Sequence, residues 1–293
     1  MLIRYPKISV VTPSYNQGQY IEETILSVIG QEYPALEYII IDGGSTDNST
    51  AIIKKYEQQI AYWISEKDNG QSEAINKGFI KATGDIVCWV NSDDMLLPGS
   101  LRIVAEYFSK HPDVMFINGN TLRINPRSEI LFNNYILCQN SWFARHGIFN
   151  MSQPAMFWRR ELFEKTGYIN EGFHAMMDLE FLIRIFESKA KIGQIDRTLS
   201  AIRIHNVTKT SVGGPIWEND KKNIRRMYGG KYDIDNYSIP HFVLFALIKL
   251  MKLKYLRDLI FKIRWKGKPL KVYSRSILNR KHENSSSYYG FQK

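Results

Sequence analysis

The residues of this chain best suited to chemistry are Asn91-Ser92-Asp93-Asp94, where two adjacent carboxylates follow the apolar run Ile86-Val87-Cys88-Trp89-Val90. Such a run reads as a buried strand. Carboxylates are rarely buried without a partner or a metal. A hard divalent cation, by contrast, takes oxygen ligands and in turn holds phosphate. The pair points to metal-assisted work on a phosphate-bearing substrate; a helix cap before Leu96 and Leu97 is its plainer role. Three more polar clusters stand upstream, at Thr12-Pro13-Ser14-Tyr15-Asn16, Asp42-Gly43-Gly44-Ser45 and Glu66-Lys67-Asp68-Asn69-Gly70. Downstream, Asp178 opens a helical stripe and Arg203-Ile204-His205 closes an extended one.

The elements that must position these clusters alternate. Ile8–Thr12, Tyr38–Ile41, Ile60–Ser65 and Ile86–Val90 read as strands. Tyr20–Gly30, Ser45–Gln59, Gln71–Ala82 and Leu101–Lys110 read as helices, with Ser or Thr available to cap the second and Gly84 ending the third. The order predicts an α/β fold with a doubly wound, mainly parallel sheet and helices on both faces. Ligands of such sheets sit beyond the carboxyl ends of the strands, and all four polar clusters fall there. Beyond residue 112 the pattern is thinner. Val114–Asn118 and Thr121–Ile124 suit strands, Leu179, Leu182, Ile183 and Phe186 form a helical stripe, residues 192–204 look extended, and Ile216–Tyr228 suits a polar helix.

Composition bounds the rest. The 293 residues, 44% hydrophobic, suffice for one large domain with an appendage. Cys88 and Cys138 make neither a disulfide framework nor a zinc pattern. Ile8-Ser9-Val10-Val11 is too short for a secretory leader core, and no apolar run is long enough to span a membrane. The net charge of +10 is concentrated at one end: residues 241–293 hold 13 of the 39 Lys and Arg but 2 of the 29 Asp and Glu. This tail interleaves Lys249, Lys252, Lys254, Arg257, Lys262 and Arg264 with aliphatic residues, as a basic amphipathic helix does at an anionic membrane surface. A solvated helix packed on its own domain is the plainer alternative; charge alone does not exclude nucleic acid, which is not the expected partner.

Six motifs together resemble family 2 glycosyltransferases of the GT-A fold: Val10 to Asn16, Ile41 to Asp47, Asp68-Asn69-Gly70, Asn91 to Asp94, Met177 to Glu180, and Arg203-Ile204-His205. They run in family order over roughly residues 7–212. The resemblance implies an inverting transfer of a sugar from a nucleotide diphosphate donor, a UDP-sugar by preference, to an acceptor hydroxyl, with Mn2+ or Mg2+. It implies nucleotide contacts from Thr12, Pro13, Tyr15, Asp42, Asp68, Asp93 and Arg203. It implies metal contacts from Asp93, Asp94 and His205, with Asp178 as general base. Asn91, Gln153, Trp158 and Glu180 would line the sugar and acceptor pocket, although Trp158 suits core packing equally well and Glu180, two residues along a helix, points away from Asp178. Asn91 stands where the family commonly has the first carboxylate of Asp-x-Asp. The loop 206–214 suits a lid.

Residues 1–240 are thus expected to form the catalytic domain, with a nucleotide-binding half near 1–112 and an acceptor half near 113–240, and 241–293 a basic extension. The resemblance places such an enzyme in cell-surface polysaccharide or lipid-linked glycan assembly, peripheral on the cytoplasmic face of the membrane through 241–282. Two other readings fit parts of the sequence. A sugar-nucleotide-forming nucleotidyltransferase shares the fold, but Thr12–Gly18 lacks the Gly-rich basic loop those enzymes use. A catalytically degenerate carbohydrate- or membrane-binding scaffold is kept open by Asn91.

Overall fold

Alternating apolar residues on the first strands are buried on both sides, and this calls for helices on both faces of the sheet. In the computed structural model, which describes residues 5–136, 141–145, 151–205, 214–232 and 256–277, the first four long strands are β1 (Ile8–Ser14), β2 (Leu36–Asp42), β3 (Tyr62–Ser65) and β4 (Ile86–Trp89). They lie side by side in the order β3-β2-β1-β4, all parallel. Val10, Ile40 and Cys88 face one layer, with Ile21, Ile25 and Val28 of α1 (Ile21–Ile29) and Val104 and Phe108 of α4 (Ser100–Lys110). Val11, Ile39, Ile41, Val87 and Trp89 face the other. They pack there on Ile75 and Phe79 of α3 (Gln71–Lys81) and Phe181 and Ile185 of α7 (Met177–Glu187). The α/β expectation holds.

Beyond β4 the sheet becomes mixed. β8 (Met156–Arg159) runs antiparallel between β4 and β6 (Phe116–Ile124), β6 pairs in parallel with β9 (Ile192–Arg203), and β5 (Met95–Leu96) closes the edge. β7 (Ile130–Asn134) folds back on β6 as a hairpin. Its register slips between Arg123 and Ile124: Arg123 pairs with Phe132 and Ile124 with Ile130, so Leu131 is the extra residue of a bulge. The alternation of β7 therefore reverses there. Ile130 joins Leu122 and Ile124 on one face, whereas Phe132 joins Arg123 on the other.

Two expected elements differ. Thr121–Ile124 and Val114–Asn118 are not two strands but parts of the single strand β6. The second helix, α2 (Ser49–Lys55), starts later than Ser45 because the preceding residues are committed elsewhere. Ser45 N–H donates to Asp42, Thr46 N–H to Asn16 Oδ1, and Asp47 accepts from Gly18 N–H and Ser49 N–H.

The remaining helices are α5 (Ser141–Arg145), α6 (Phe163–Thr166), α8 (Pro215–Tyr228), α9 (256–265) and α10 (270–277). The last two belong to the basic tail, and they are packed on the domain. Phe261, Trp265 and Leu270 share an apolar cluster with Met95, Leu97, Leu122, Ile124, Ile130 and Ala201. Backbone bonds tie the turn between the helices to the hairpin: Ile130 N–H to Lys268 O at 3.0 Å and Gly267 N–H to Ile130 O at 2.7 Å. Among the described residues no helix is long and apolar enough to cross a membrane. Residues 206–213 of the expected lid, with Lys209, lie outside the described residues, as do Cys138 and the tail segments 241–255 and 278–293.

One buried carboxylate joins three segments at the amino end of the parallel sheet. Glu37 on β2 accepts from Lys7 Nζ at 2.6 Å, Ser9 Oγ at 2.5 Å, and Thr83 N–H and Oγ1, both at 2.7 Å. Burial alone would raise its carboxyl; these donors outweigh it and hold the group at about 2, against an ordinary 4.5. A depressed folded value means that the stabilisation is present above the unfolded value and disappears as pH falls from about 4.5 through 2. Glu37→Gln is expected to cost about 2 kcal/mol at pH 7, a common value for hydrogen bonds to a charged group. The gap to wild type in urea denaturation should narrow steadily below pH 4.5; a gap independent of pH would disprove the assignment.

Candidate active site

The carboxyl ends of β1 to β4 and the cleft-facing side of the β6–β7 hairpin enclose a cleft of about 1080 Å3. Its wall includes Pro13, Ser14, Tyr15 and Gln17 after β1, Gly43 and Gly44 after β2, and Lys67, Asp68, Gly70 and Gln71 between β3 and α3. Asn91 to Asp94 form the floor, and Arg123, Phe132, Asn134, Ile202 and His205 the far side. The four polar strand ends do converge, as expected from their order.

The acidic turn is asymmetric. Asp93 presents its carboxylate to the cleft and meets His205 Nε2 at 3.0 Å. His205 is held by the Tyr20 ring, 5.0 Å away between centroids. Asp94 is turned inward and is 3% exposed. Its Oδ1 accepts the Arg203 N–H at 3.1 Å and its Oδ2 the Asn91 amide at 3.3 Å. Burial, and then the charge of Asp93, push its carboxyl well above the ordinary range. Both oxygens of Asp94, expected to contact a metal, are engaged within the protein, and in this structure the residue braces the turn. Among the described residues no cluster of three or more His, Cys, Asp or Glu side chains is poised for a metal. Asp93 and His205 remain as a two-donor set, which suits a cation completed by substrate phosphate and water.

Arg203 also departs from expectation. Its guanidinium is 1% exposed and bonded on all three nitrogens from within. Nε donates to Asp93 O at 3.1 Å, Nη1 to Pro126 O at 3.1 Å and Ser128 Oγ at 2.9 Å, and Nη2 to Glu23 at 2.6 Å. The Tyr20 ring lies beneath it at 4.5 Å. In this structure Arg203, expected to contact the nucleotide, acts as a strut between the acidic turn, α1 and the hairpin. Positive charge reaches the cleft from Lys67 and Arg123, to which the sequence reading gave no role; the Arg123 guanidinium is partly buried and feels the charge of Asp94.

At the opposite end, Asp68 accepts the Gly70 N–H at 2.9 Å, and burial raises its carboxyl above the usual range. Asp42 is fully buried, and it accepts from Ser45 N–H at 2.8 Å and Ser65 Oγ at 2.7 Å. It shapes the loop and does not line the cleft. Thr12 is likewise buried and meets the Tyr38 hydroxyl at 3.1 Å. Pro13 and Tyr15 do line the cleft, Tyr15 being 61% exposed. Two polar atoms on this wall, Ser14 Oγ and Gln17 Oε1, are buried without a hydrogen-bond partner, a condition that is uncommon in native proteins and that a bound ligand or water would relieve.

Three expected pocket residues are elsewhere. Trp158 is fully buried, with Phe79, Trp89 and Phe181 rings at 5.5, 5.7 and 5.2 Å, so no face is open for a sugar. Glu180 is fully buried in a bond to Arg184 at 2.8 Å and the Tyr228 hydroxyl at 2.8 Å. Gln153 sits under the floor and donates to Trp89 O at 2.6 Å. Asn91 lines the floor of the cleft and accepts from Gln71 at 2.8 Å.

Asp178 is not among the residues that line the cleft; it stands at the start of α7, where its Oδ1 accepts the Leu179 N–H. The segment leading to it borders the cleft: Ser72 Oγ, next to Gln71, contacts Phe173 O at 2.9 Å and Met177 Sδ at 3.2 Å. This segment is fixed from below by a residue the sequence did not single out. Asp220 of α8, fully buried, receives the N–H groups of His174, Ala175 and Met176 on one oxygen at 2.8–3.1 Å.

Residues 9–167 match the model of glycosyl transferase family 2. An uncharacterized glycosyltransferase of Nostoc is 30% identical over 217 residues, 68% of this chain and 65% of its own, so the match spans just under two thirds of that relative. The putative teichuronic acid biosynthesis glycosyltransferase TuaG of Bacillus subtilis is 29% identical over 58% of this chain and 75% of its own. In fold, the chain resembles S. aureus TarS 1–349 in complex with UDP-GlcNAc, with TM-score 0.62 and 19% identity over 78% of this chain and 68% of that one.

Two substitutions test the geometry. Arg203→Lys leaves the charge but strands several buried acceptors, so it should lower stability by about 3 kcal/mol in chemical denaturation; a phosphate-binding Arg203 would instead leave stability unchanged. A Cβ at Gly43 would stand 2.6 Å from Asp68 Oδ2. Gly43→Ala should therefore displace that carboxylate and weaken nucleotide binding about tenfold, or ~1.4 kcal/mol, in calorimetric titration.

Proposed function

This chain belongs to glycosyl transferase family 2, and we propose on that premise that it transfers a sugar from a nucleotide diphosphate sugar to an acceptor hydroxyl with inversion at the anomeric carbon. The observation that carries this reading is the cleft itself. It combines Asp93 and His205 at 3.0 Å with two unpartnered buried polar atoms, Ser14 Oγ and Gln17 Oε1, on the wall leading away from them.

The nucleoside lies along the ends of β1 to β3, where Asp68 accepts from base N–H groups and Ser14 and Gln17 satisfy their free polar atoms. Uracil is favoured; the TarS neighbour is in complex with UDP-GlcNAc. The diphosphate lies over Asp93, with Lys67 and Arg123 as the available cations. A Mn2+ or Mg2+ ion held there by Asp93 and His205 would neutralise charge on the diphosphate as it leaves. Asp178 takes the proton of the acceptor hydroxyl while that oxygen bonds to the anomeric carbon from the side opposite the diphosphate. The bond from that carbon to the diphosphate oxygen breaks, and nucleoside diphosphate departs. Reaching the hydroxyl requires the Asp178 side chain to turn from the Leu179 N–H into the cleft. The acceptor is a glycan or lipid-linked glycan of the cell surface, consistent with the biosynthetic role in the name of TuaG. The enzyme works at the cytoplasmic face of the membrane, on which the segment 241–282 rests.

The test is turnover across a panel of nucleotide sugars with Mn2+, beside thermal shift for binding. Asp178→Asn should cut turnover by about a hundredfold or more, the usual weight of general-base catalysis, while donor-induced stabilisation persists. Asp93→Ala should abolish the Mn2+-dependent part of that stabilisation, and so should a chelator. Donor binding without turnover for every sugar would sink the transferase reading in favour of a scaffold. Full activity in Asp178→Asn would give the base to another residue.

A further inference from the structure

The helix α9 carries two apolar faces, and only one of them is used. Phe261 and Trp265 are buried against the hairpin. On the opposite side, Leu256, Leu259, Ile260 and Ile263 follow the i, i+3, i+4, i+7 spacing of a single stripe, and they are 54, 43, 57 and 79% exposed. Val272 of α10 adds a further aliphatic side chain at 41% exposure. The nearby charges are almost all positive: Arg264, Lys266, Lys268, Lys271 and Arg275 are exposed beside the stripe. The acids within reach are committed, Asp258 to Lys262 at 2.7 Å and Asp196 to Arg257 at 3.1 Å.

Propensity for a helix does not require aliphatic residues facing water, and packing on the domain needs only the inner face. The outer stripe therefore has an occupant, and charge selects among candidates. A second copy of this chain would bring the same cations against themselves, and a single helical stripe offers far less than the roughly 800 Å2 per partner of a stable interface. Nucleic acid would match the charge but not the aliphatic stripe. An anionic bilayer matches both: aliphatic side chains enter the boundary between head groups and acyl chains while the flanking cations meet the lipid charge.

We propose that α9 is a membrane-contacting helix. It lies in the plane of an anionic lipid surface with Leu256, Leu259, Ile260 and Ile263 inserted, while Phe261 and Trp265 hold it to the domain. This deepens the membrane placement proposed above by naming the residues. It also changes how the idea must be tested. Deleting the tail would strip Phe261 and Trp265 from the back of the cleft hairpin, so loss of binding in a truncated chain would have two causes. Substitutions on the outer face avoid this.

The experiment is flotation of the full chain with vesicles of phosphatidylcholine containing phosphatidylglycerol, and with pure phosphatidylcholine. Wild type should float with the anionic vesicles and at least tenfold more weakly with neutral ones. Ile260→Ser/Ile263→Ser should lose at least tenfold in partition at unchanged melting temperature. Lys266→Glu/Lys271→Glu should lose a similar factor on anionic vesicles alone, which tests the same surface should the first variant prove unstable. Flotation of both variants at the wild-type level overturns the proposal. So does a wild-type chain that floats with neither vesicle, as when residues outside the described segments cover the stripe. A wild-type dimer that the serine variant dissociates, without flotation, reassigns the face to a second copy. Flotation requires no donor sugar, so its result stands apart from the outcome of the turnover panel.

Discussion

The cleft depends on the burial of one guanidinium. An arginine removed from water must recover its lost hydration through a charge partner and hydrogen bonds, and Arg203 finds them on separate parts of the chain: Glu23 on α1, the carbonyl of Asp93, and the 125–128 turn that leads into β7. Satisfying it locks the acidic turn to the helix on one side and the hairpin on the other. The backbone N–H of the same residue accounts for the inward turn of Asp94. Asp93 is then the carboxylate left to face a ligand. The outward Asp93 and the inward Asp94 are thus a consequence of how an adjacent buried cation is compensated.

That arrangement explains why parts of the site were legible in the sequence and others were not. The parallel half was readable because burial on both faces leaves uninterrupted apolar runs such as Tyr38 to Ile41, and because polar clusters after such runs fall on one edge of the sheet. Asp93, Asp68 and Asn91 reached the cleft edge by this route, whereas His205 was named through the family resemblance. Burial, however, is invisible in a motif. Arg203, Thr12, Asp42 and Asp94 occupy motif positions and serve the architecture through hydrogen bonds that only the fold supplies. Trp158 has the chemistry of a sugar platform, but its neighbours Phe79, Trp89 and Phe181 come from distant parts of the chain.

The second half was harder for a related reason. β6 carries Asn118, Gly119, Asn120 and Thr121 in mid-strand, a polar run that reads as a break. Its amides bond to distant segments: Asn120 donates to Asp196 and accepts from the Ile136 N–H, and Asn118 donates to Ser152 O while its own side-chain oxygen is buried without a partner. Gly119 leaves room for Leu199, which a Cβ would approach to 2.5 Å. Lys67, although within a quoted cluster, and Arg123 were given no role because a lone cation in a loop or strand carries no spacing signal. Asp220 did so because its service to residues 174–176 crosses more than forty positions of sequence.

The bulge at Leu131 has a consequence for how this protein can change. By reversing the alternation of β7, it makes a wall one strand thick whose front displays Arg123 and Phe132 and whose back is Leu122, Ile124 and Ile130. Residues of the tail that never meet a substrate thus lie a single backbone layer from those that line its pocket. A repacking substitution at Phe261 or Trp265 would press on Leu122, Ile124 and Ile130 and so move the cleft wall from behind, which makes a helix outside the shared motifs a place where the shape of the cleft can change while its lining residues stay the same.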